Sequence, residues 1–587
     1  MNFNIFGRVS RIAAIGAILL GSASCVDINE HLGENLIPTD QKWDVYTPDA
    51  VNLEEICIEM SDSLTGYSNS RFTFGAVNDE ILGTSIKSTS FTLVPFLDSI
   101  DLGKNTKIRQ FHFSAVRDTL STVLGNQQKM LQNVYVSELR KPLDSTVLYA
   151  GAFMNSRLCE EFLDMDNRIT AGIPVYDGGD SLSFDFSKEF TESFVERLRK
   201  ADVDSIDLYI KDLPGIYITT DAPAGKGGRI NMFNLNIQTD SYGYLTGNYA
   251  ELKITAEYEG HDEPVDTSFF FFYGPAAFMK SDDKDFPTQL AFNASSHSTG
   301  EEFIRNWEAG KKDKLYIEGG SGLKPVIKAT EIKRIVEDQI AAEGIVDPSE
   351  VVINKATLIL PYDVAGDYSM LNKYPDILSP TVRLRSSEGK YVSYAGITDS
   401  SISTENQGNI NRSLSIYSPD VSHHVQEILK LDRSDKDFEK NISKYDIWFL
   451  IMHEEVVPEE GTTQSDYYDN LKFNSYYNMM YDPYGYGYGY GGYGGYGGYG
   501  YGGYGGYGGY GGYGGYGGYG YGSNYYNYYL MAMYASSYGS GSSDETTIQL
   551  DKDRYYYAIL NGPEANGARP QLKITFSAPK TKIRDIQ

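Results

Sequence analysis

The side chains most able to do chemistry are few. The seven histidines are His31, His112, His261, His297, His423, His424 and His453. His453-Glu454-Glu455 lacks the second histidine that a zinc-protease helix needs four residues on. His423 and His424 are adjacent, so on a helix they point about 100° apart and do not easily share one metal; His424 flanks an apolar stripe and His423 faces solvent. Ala224-Gly225-Lys226-Gly227-Gly228 places a lysine among glycines. However, Gly227 stands where a phosphate loop needs Ser or Thr, and Thr220 where it needs its leading glycine. Gly319-Gly320-Ser321-Gly322 lacks the spacing of a nucleophile elbow. Asp164-Met165-Asp166-Asn167 starts like a calcium loop but has no glycine in place and no closing glutamate. Asp282-Asp283-Lys284-Asp285 reads as a solvated loop. Nothing singles out a catalytic pair among 79 acidic residues. With three cysteines, neither a four-cysteine zinc site nor a disulfide scaffold can form. These residues predict no catalytic, cofactor or metal site, and no enzyme.

Cys25 does carry a modification signal. Arg8 and Arg11 precede a short apolar run, Ile12 to Leu20, followed by Gly21-Ser22-Ala23-Ser24-Cys25. A basic start, a short apolar run and small residues at the cut describe an export leader over residues 1–24. The run is too short to span a bilayer. A cysteine directly after Ala23-Ser24 predicts lipidation of Cys25 and a membrane anchor; an ordinary secretory cut would leave it a plain thiol. Several acyl chains anchor stably where one does not. The next stretch, Val26-Asp27-Ile28-Asn29-Glu30 with Glu34 and Asp40, is acidic and holds no Lys or Arg before Lys42. It resembles the surface-export signal of Bacteroidota lipoproteins, which implies an outer-membrane anchor on the cell-surface face. The alternative is a solvated tether over residues 25–45.

The rest of the chain must position whatever these residues do. Leu252, Ile254, Ala256 and Tyr258 alternate with polar neighbours, as do Ile206, Leu208 and Ile210, then Phe233, Leu235 and Ile237, and Leu572, Ile574 and Phe576. Period two means one buried and one wet face, the pattern of antiparallel sheets. Strands are also predicted at Tyr445–Met452 and Thr547–Leu550. Helical stripes are few: Ile332, Ile335, Val336 and Ile340 within Glu331–Glu343; Phe190, Phe194 and Leu198; and Val421, Val425 and Ile428 after a Ser418-Pro419 N-cap. The pattern predicts a mainly β protein of two antiparallel sandwich-like domains, 46–285 and 286–587, with a few short helices. From Tyr484 to Gly522 every residue is Gly or Tyr. Without proline this is no collagen, and without aliphatic side chains it packs no core. It predicts a disordered loop at about 481–545, inserted in the second domain. Its tyrosines could stack on sugars, or the tract could be a tolerated repeat expansion.

A net charge of −28 has the wrong sign for sequence-independent binding to nucleic acid. In an oxidising compartment Cys57 and Cys159 are disulfide candidates, two buried free thiols being the alternative. Ser63, Ser99, Thr119, Ser145, Ser181 and Ser205 each follow an aspartate and precede an aliphatic residue or threonine, which resembles the O-glycosylation acceptor of exported Bacteroidota proteins.

Three stretches carry a family resemblance. They are Leu32–Pro38 (LGENLIP), Phe74–Thr84 (FGAVNDEILGT), and the pair Leu315–Gly322 (LYIEGGSG) and Val352–Leu358 (VINKATL). In their order and spacing they resemble the Bacteroidota lipoprotein family defined by domain of unknown function 4270. The resemblance implies location and architecture, not a reaction. Physically these motifs suit turns and strand starts, with glycines where the backbone needs positive φ and Asn78-Asp79 for a tight turn. The expected function is a non-enzymatic surface lipoprotein serving as accessory or scaffold subunit of an outer-membrane assembly, its partner an outer-membrane β-barrel. The contender is a lipoprotein that binds or acts on glycans.

Overall fold

The computed structural model describes residues 43–579 except 63, 67–70, 96–99, 119–121, 125–129, 144–162, 236–237, 240–244, 274–289, 363–367, 386–390, 403–407 and 458–544. The described chain is mainly β, built from antiparallel sheets with a few short helices. The lipidation candidate Cys25, the candidate glycosylation residues Ser63, Ser99, Thr119 and Ser145, Cys159 and the Gly/Tyr tract lie outside the described residues.

Two sheets packed on an aromatic core form the first unit. One runs Leu163–Arg168, Tyr135–Leu139, Ile216–Thr219, Gly83–Phe91, Arg71–Asp79, Gly227–Asn234, Thr122–Leu124, with Ala291–His297 on the free edge of Gly83–Phe91. The other runs Ser181–Asp185, Lys104–Val116, Tyr249–Glu257, Val265–Tyr273, Leu93–Pro95. Between them Phe91 stacks on Phe113 at 5.8 Å and Phe113 on Phe184 at 4.8 Å. Each such ring, once buried, contributes about 1.5–3 kcal/mol of hydrophobic stabilisation. Tyr249–Glu257 shows the predicted alternation, with Ala250, Leu252, Ile254 and Ala256 fully buried. Helix Lys188–Leu198 closes one end of the core with Phe190, Phe194 and Leu198, and Ser187 caps it by accepting from the Phe190 amide.

The second unit has two large sheets and the strand pair Lys314–Glu318 with Tyr557–Asn561. One runs Trp43–Tyr46, Gln571–Pro579, Val352–Pro361, Ile416–Tyr417, Ile410–Asn411, with Val51–Asn52 also on Gln571–Pro579. The other runs Tyr391–Gly396, Ile377–Arg385, Ile447–Val457, Leu323–Ile327, Ile56–Met60, and Glu545–Leu550 joins Ile447–Val457. Helix Ala329–Ala342 buries Ile332, Ile335, Val336 and Ile340 in the core, as its stripe predicts. Ile447–Met452 is buried without alternation because this sheet is covered on both faces: Ile447, Phe449 and Ile451 join the main core, Trp448, Leu450 and Met452 a smaller one. The strands flanking residues 458–544 pair with each other from Val457↔Glu545 to Met452↔Leu550, so this insert joins two partners of one hairpin.

Three expectations need correction. Ile206, Leu208 and Ile210 do not form a strand. Ile206–Asp212 is a helix that buries Ile206, Tyr209 and Ile210 and leaves Leu208 45% exposed; the spacing that matters is i, i+3, i+4. The strand around Phe233 ends at Asn234. Ser418-Pro419 does not start a helix: the helix is Ser422–Lys430, whose first amide, from Ser422, donates to Asp420, and whose next two, from His423 and His424, donate to the Asp399 carboxylate. Pairing also groups the chain differently from the 46–285 and 286–587 division. Residues 43–60 pair with second-unit strands, while Ala291–His297 belongs to a first-unit sheet.

Candidate functional site

The two units meet on a cluster of buried charges and hydroxyls. Ala291–His297 lies against Gly83–Phe91 in a register that pairs Ser295 with Lys87. Alternation along the strand puts Ser295 and His297 on one face. Opposite them, strand Lys314–Glu318 ends and the chain turns through Gly319-Gly320-Ser321-Gly322 into Leu323–Ile327. His297 Nδ1 is 2.7 Å from Glu318 Oε1, and Thr299 Oγ1 donates to Glu318 Oε2 at 2.6 Å. His297 Nε2 is 3.2 Å from Ser295 Oγ, which is 2.7 Å from Ser321 Oγ. For a neutral His297 beside an ionised Glu318, Nδ1–H donates to the carboxylate and Nε2 accepts from Ser295.

Lys324 is held in the same turn. Its Nζ donates to the carbonyls of Gly320 at 3.0 Å and Gly322 at 3.2 Å, to Ser61 Oγ at 3.2 Å, and to the Glu318 carbonyl. Ser61 Oγ shares its one proton between the carbonyls of Gly320 at 3.1 Å and Gly322 at 2.9 Å. Gly320 has φ +60, a left-handed conformation that favours glycine, and a Cβ there would force the Lys87 amino group to move. Lys87 Nζ donates to the Lys552 carbonyl at 3.2 Å, and Lys552 Nζ to the Thr65 carbonyl at 3.0 Å. Asn293 Nδ2 donates to Asp553 Oδ1 at 2.9 Å. Beside them Asp551 accepts from Tyr556 at 2.7 Å and pairs with Arg554 at 2.9 Å.

Burial sets the proton affinities here, because low dielectric disfavours the charged form. It pushes Lys324 down to about 7, against the pull of Glu318, and Lys87 and Lys552 down to about 8, against the pull of Asp553. Burial also raises the Asp553 carboxyl. For Glu318 burial is outweighed by His297, Thr299 and Lys324, which hold it below the ordinary range. His453 and Arg554 similarly outweigh burial at Asp551. Glu318, Lys324 and Lys87 are each 1% exposed, and Ser295 and Ser321 are 3% and 5% exposed. Ser295, His297 and Glu318 stand in the order of a nucleophile, a base and its orienting acid, but among the described residues all three side chains are buried between the units.

The remaining expected positions lie elsewhere. Cys57 is a free thiol whose Sγ–H donates to Glu59 Oε1 and the Val326 carbonyl, and burial pushes it up to about 12. Ser181 is exposed on its strand, and Ser205 is half-buried ahead of helix Ile206–Asp212. Lys226 donates to the Asp79 carbonyl at 2.9 Å and Asn78 Oδ1 at 3.3 Å, a strand-end contact rather than a phosphate cradle. His424 is buried with Nε2–H donating to the Tyr445 carbonyl, and His423 is exposed. Among the described residues no group of three or more His, Cys, Asp or Glu could hold a metal ion, and no helix is long and apolar enough to cross a membrane. Sequence reasoning missed the cluster, although Ser295-Ser296-His297 on a strand carries its signal. No protein-family model, curated protein or solved structure matches the chain.

Proposed function

We propose that this protein is a surface-exposed outer-membrane lipoprotein, anchored through Cys25, that serves as a non-enzymatic accessory or scaffold subunit of an outer-membrane protein assembly. The observation that carries the reading is the use made of the reactive side chains. The acid, the base and the lysines that might have served a substrate are spent on joining two β units, each side chain enclosed and bonded. What is left for an outside partner is shape and surface, as in a subunit that docks. The edge strand Trp43–Tyr46, paired with Gln571–Pro579, starts soon after Cys25, so the anchor and the body are joined by a short tether.

The test is a gentle-detergent pull-down of the tagged protein from its own outer membrane, followed by mass spectrometry. A β-barrel protein recovered in stoichiometric amount is the expected result. A solitary protein would overturn the subunit reading and direct attention to ligands bound by the protein itself.

A further inference from the structure

We propose that the chain cleaves itself once, at the peptide bond between Gly320 and Ser321. A hydroxyl attacking its own preceding carbonyl needs an acceptor for its proton, a polarised carbonyl and a turn that holds the two together, and all three are present. The proton acceptor is the relay behind Ser321: its Oγ is 2.7 Å from Ser295 Oγ, which is 3.2 Å from His297 Nε2, and His297 Nδ1 is 2.7 Å from Glu318. The carbonyl is that of Gly320, whose oxygen accepts from Lys324 Nζ at 3.0 Å and Ser61 Oγ at 3.1 Å. Two preorganised donors, the Lys324 amino group and the Ser61 hydroxyl, lie where negative charge would develop. The turn is pinned: the Gly322 amide donates to the Gly319 carbonyl, the Gly319 amide to the Tyr556 carbonyl, and the Ser61 amide to the Gly322 carbonyl. Burial is no obstacle to a reaction within the chain, where nucleophile and carbonyl are one residue apart.

The step balances without a redox partner. Ser321 Oγ attacks the Gly320 carbonyl carbon, and its proton passes through Ser295 to His297. The Gly320–Ser321 C–N bond breaks, and the departing nitrogen takes a proton back through Ser295, whose Oγ lies 3.5 Å from that amide. The product is an ester between the Gly320 carbonyl and Ser321 Oγ. One water then hydrolyses it, leaving a Gly320 carboxylate and a free amine and hydroxyl on Ser321. Ser321, Ser295, Ser61 and Lys324 touch the reacting atoms; His297 acts through Ser295, and Glu318 positions His297. The halves stay together, because Ile56–Met60 pairs with Leu323–Ile327 and Trp43–Tyr46 with Gln571–Pro579 across the cut.

The full chain, purified and incubated at neutral pH with and without hydroxylamine, tests this by denaturing electrophoresis, intact mass and N-terminal sequencing. The expected result is two fragments that co-elute under native conditions, the second beginning Ser321-Gly322-Leu323, with masses summing to the chain plus one water. Hydroxylamine should raise the yield by intercepting the ester and leaving a Gly320 hydroxamate. Ser321→Ala should remain one chain, Ser321→Cys should still cleave, and His297→Ala should slow cleavage by about 100-fold. Folding of each variant is checked by circular dichroism and native elution. A folded wild-type chain that stays whole even with hydroxylamine, a new N-terminus other than Ser321, or unchanged cleavage in folded Ser321→Ala would overturn the proposal.

Discussion

Glu318→Gln asks how much of the stability rests on the seam between the units. The carboxylate is 1% exposed, accepts from His297 and Thr299 at 2.7 and 2.6 Å, and faces the ammonium of Lys324. Glutamine keeps the shape and one acceptor oxygen but removes the charge. Hydrogen bonds to a charged group contribute about 1.5–3 kcal/mol each, and breaking one side of a buried pair costs about 3–5 kcal/mol. The desolvation cost of the lost carboxylate returns part of this, so a loss of about 3 kcal/mol is expected at neutral pH. Urea unfolding followed by tryptophan fluorescence suits the purpose, since Trp307 and Trp448 are 8% and 4% exposed in the second unit. Both proteins should carry Ser321→Ala, so that each is a single chain. Because the folded carboxyl is held below its unfolded value of about 4.3, its contribution is present above that pH and lost as pH falls through the folded value. The gap between the two proteins should therefore close in acid. A loss under about 1 kcal/mol at neutral pH, or a gap that ignores acid, would refute the assignment of Glu318 as an ionised clasp.

Three further outcomes follow from the same structure. Lys87, Lys324 and Lys552 are pushed down to about 8, 7 and 8, so the folded state penalises their charged forms, and the penalty fades as pH rises toward their unfolded value. Between pH ~7 and ~8.5 Lys324 alone should add roughly 1.5–2 kcal/mol, and a urea midpoint that falls over that range would contradict the buried lysines. Replacing residues 458–544 by a two-residue Asn-Gly turn should leave the hairpin Ile447–Val457 and Glu545–Leu550 intact and, by shortening the loop, raise the unfolding midpoint slightly; a loss above about 1 kcal/mol would mean that the tract packs on the body. Gly75 has φ +141 and its Cβ would strike the Arg229 carbonyl, so Gly75→Ala should destabilise by about 2–3 kcal/mol or more in the same assay, and a neutral result would refute this packing of Arg71–Asp79 on Gly227–Asn234.

Where one face of a segment is wet, its structure could be read from residue types alone. Tyr249–Glu257 alternates as predicted because its sheet buries one face, and the helix Ala329–Ala342 follows its four-residue stripe. Ile206–Asp212 misleads because positions i and i+4 share a face in a strand and in a helix alike, and the decision falls to Tyr209, which is fully buried, against Leu208, which is exposed. The motifs behind the resemblance form strands and turns where they are described: Val352–Leu358 opens the strand Val352–Pro361, and Phe74–Thr84 runs from one strand through a turn into the next. Asp79 Oδ1 accepts from the Ile81 and Leu82 amides between two strands, and Gly75, Gly83 and Gly320 have positive φ. The grouping into units was not legible, since it depends on pairing Trp43–Tyr46 with Gln571–Pro579 at opposite ends of the chain. The seam was hidden for a similar reason. Ser295 and His297 announce a shared face, but Glu318, Ser321 and Lys324 reach it only through the fold, and lysines such as Lys87 are rarely buried.

Acyl labelling tests the proposed anchored scaffold most directly. Cells fed an alkyne analogue of palmitate are fractionated, and the label on the wild-type protein and on Cys25→Ala is compared in the outer membrane. Label on the wild-type protein in that fraction, absent from Cys25→Ala, is the predicted result. An unlabelled wild-type protein released with the soluble fraction would contradict it.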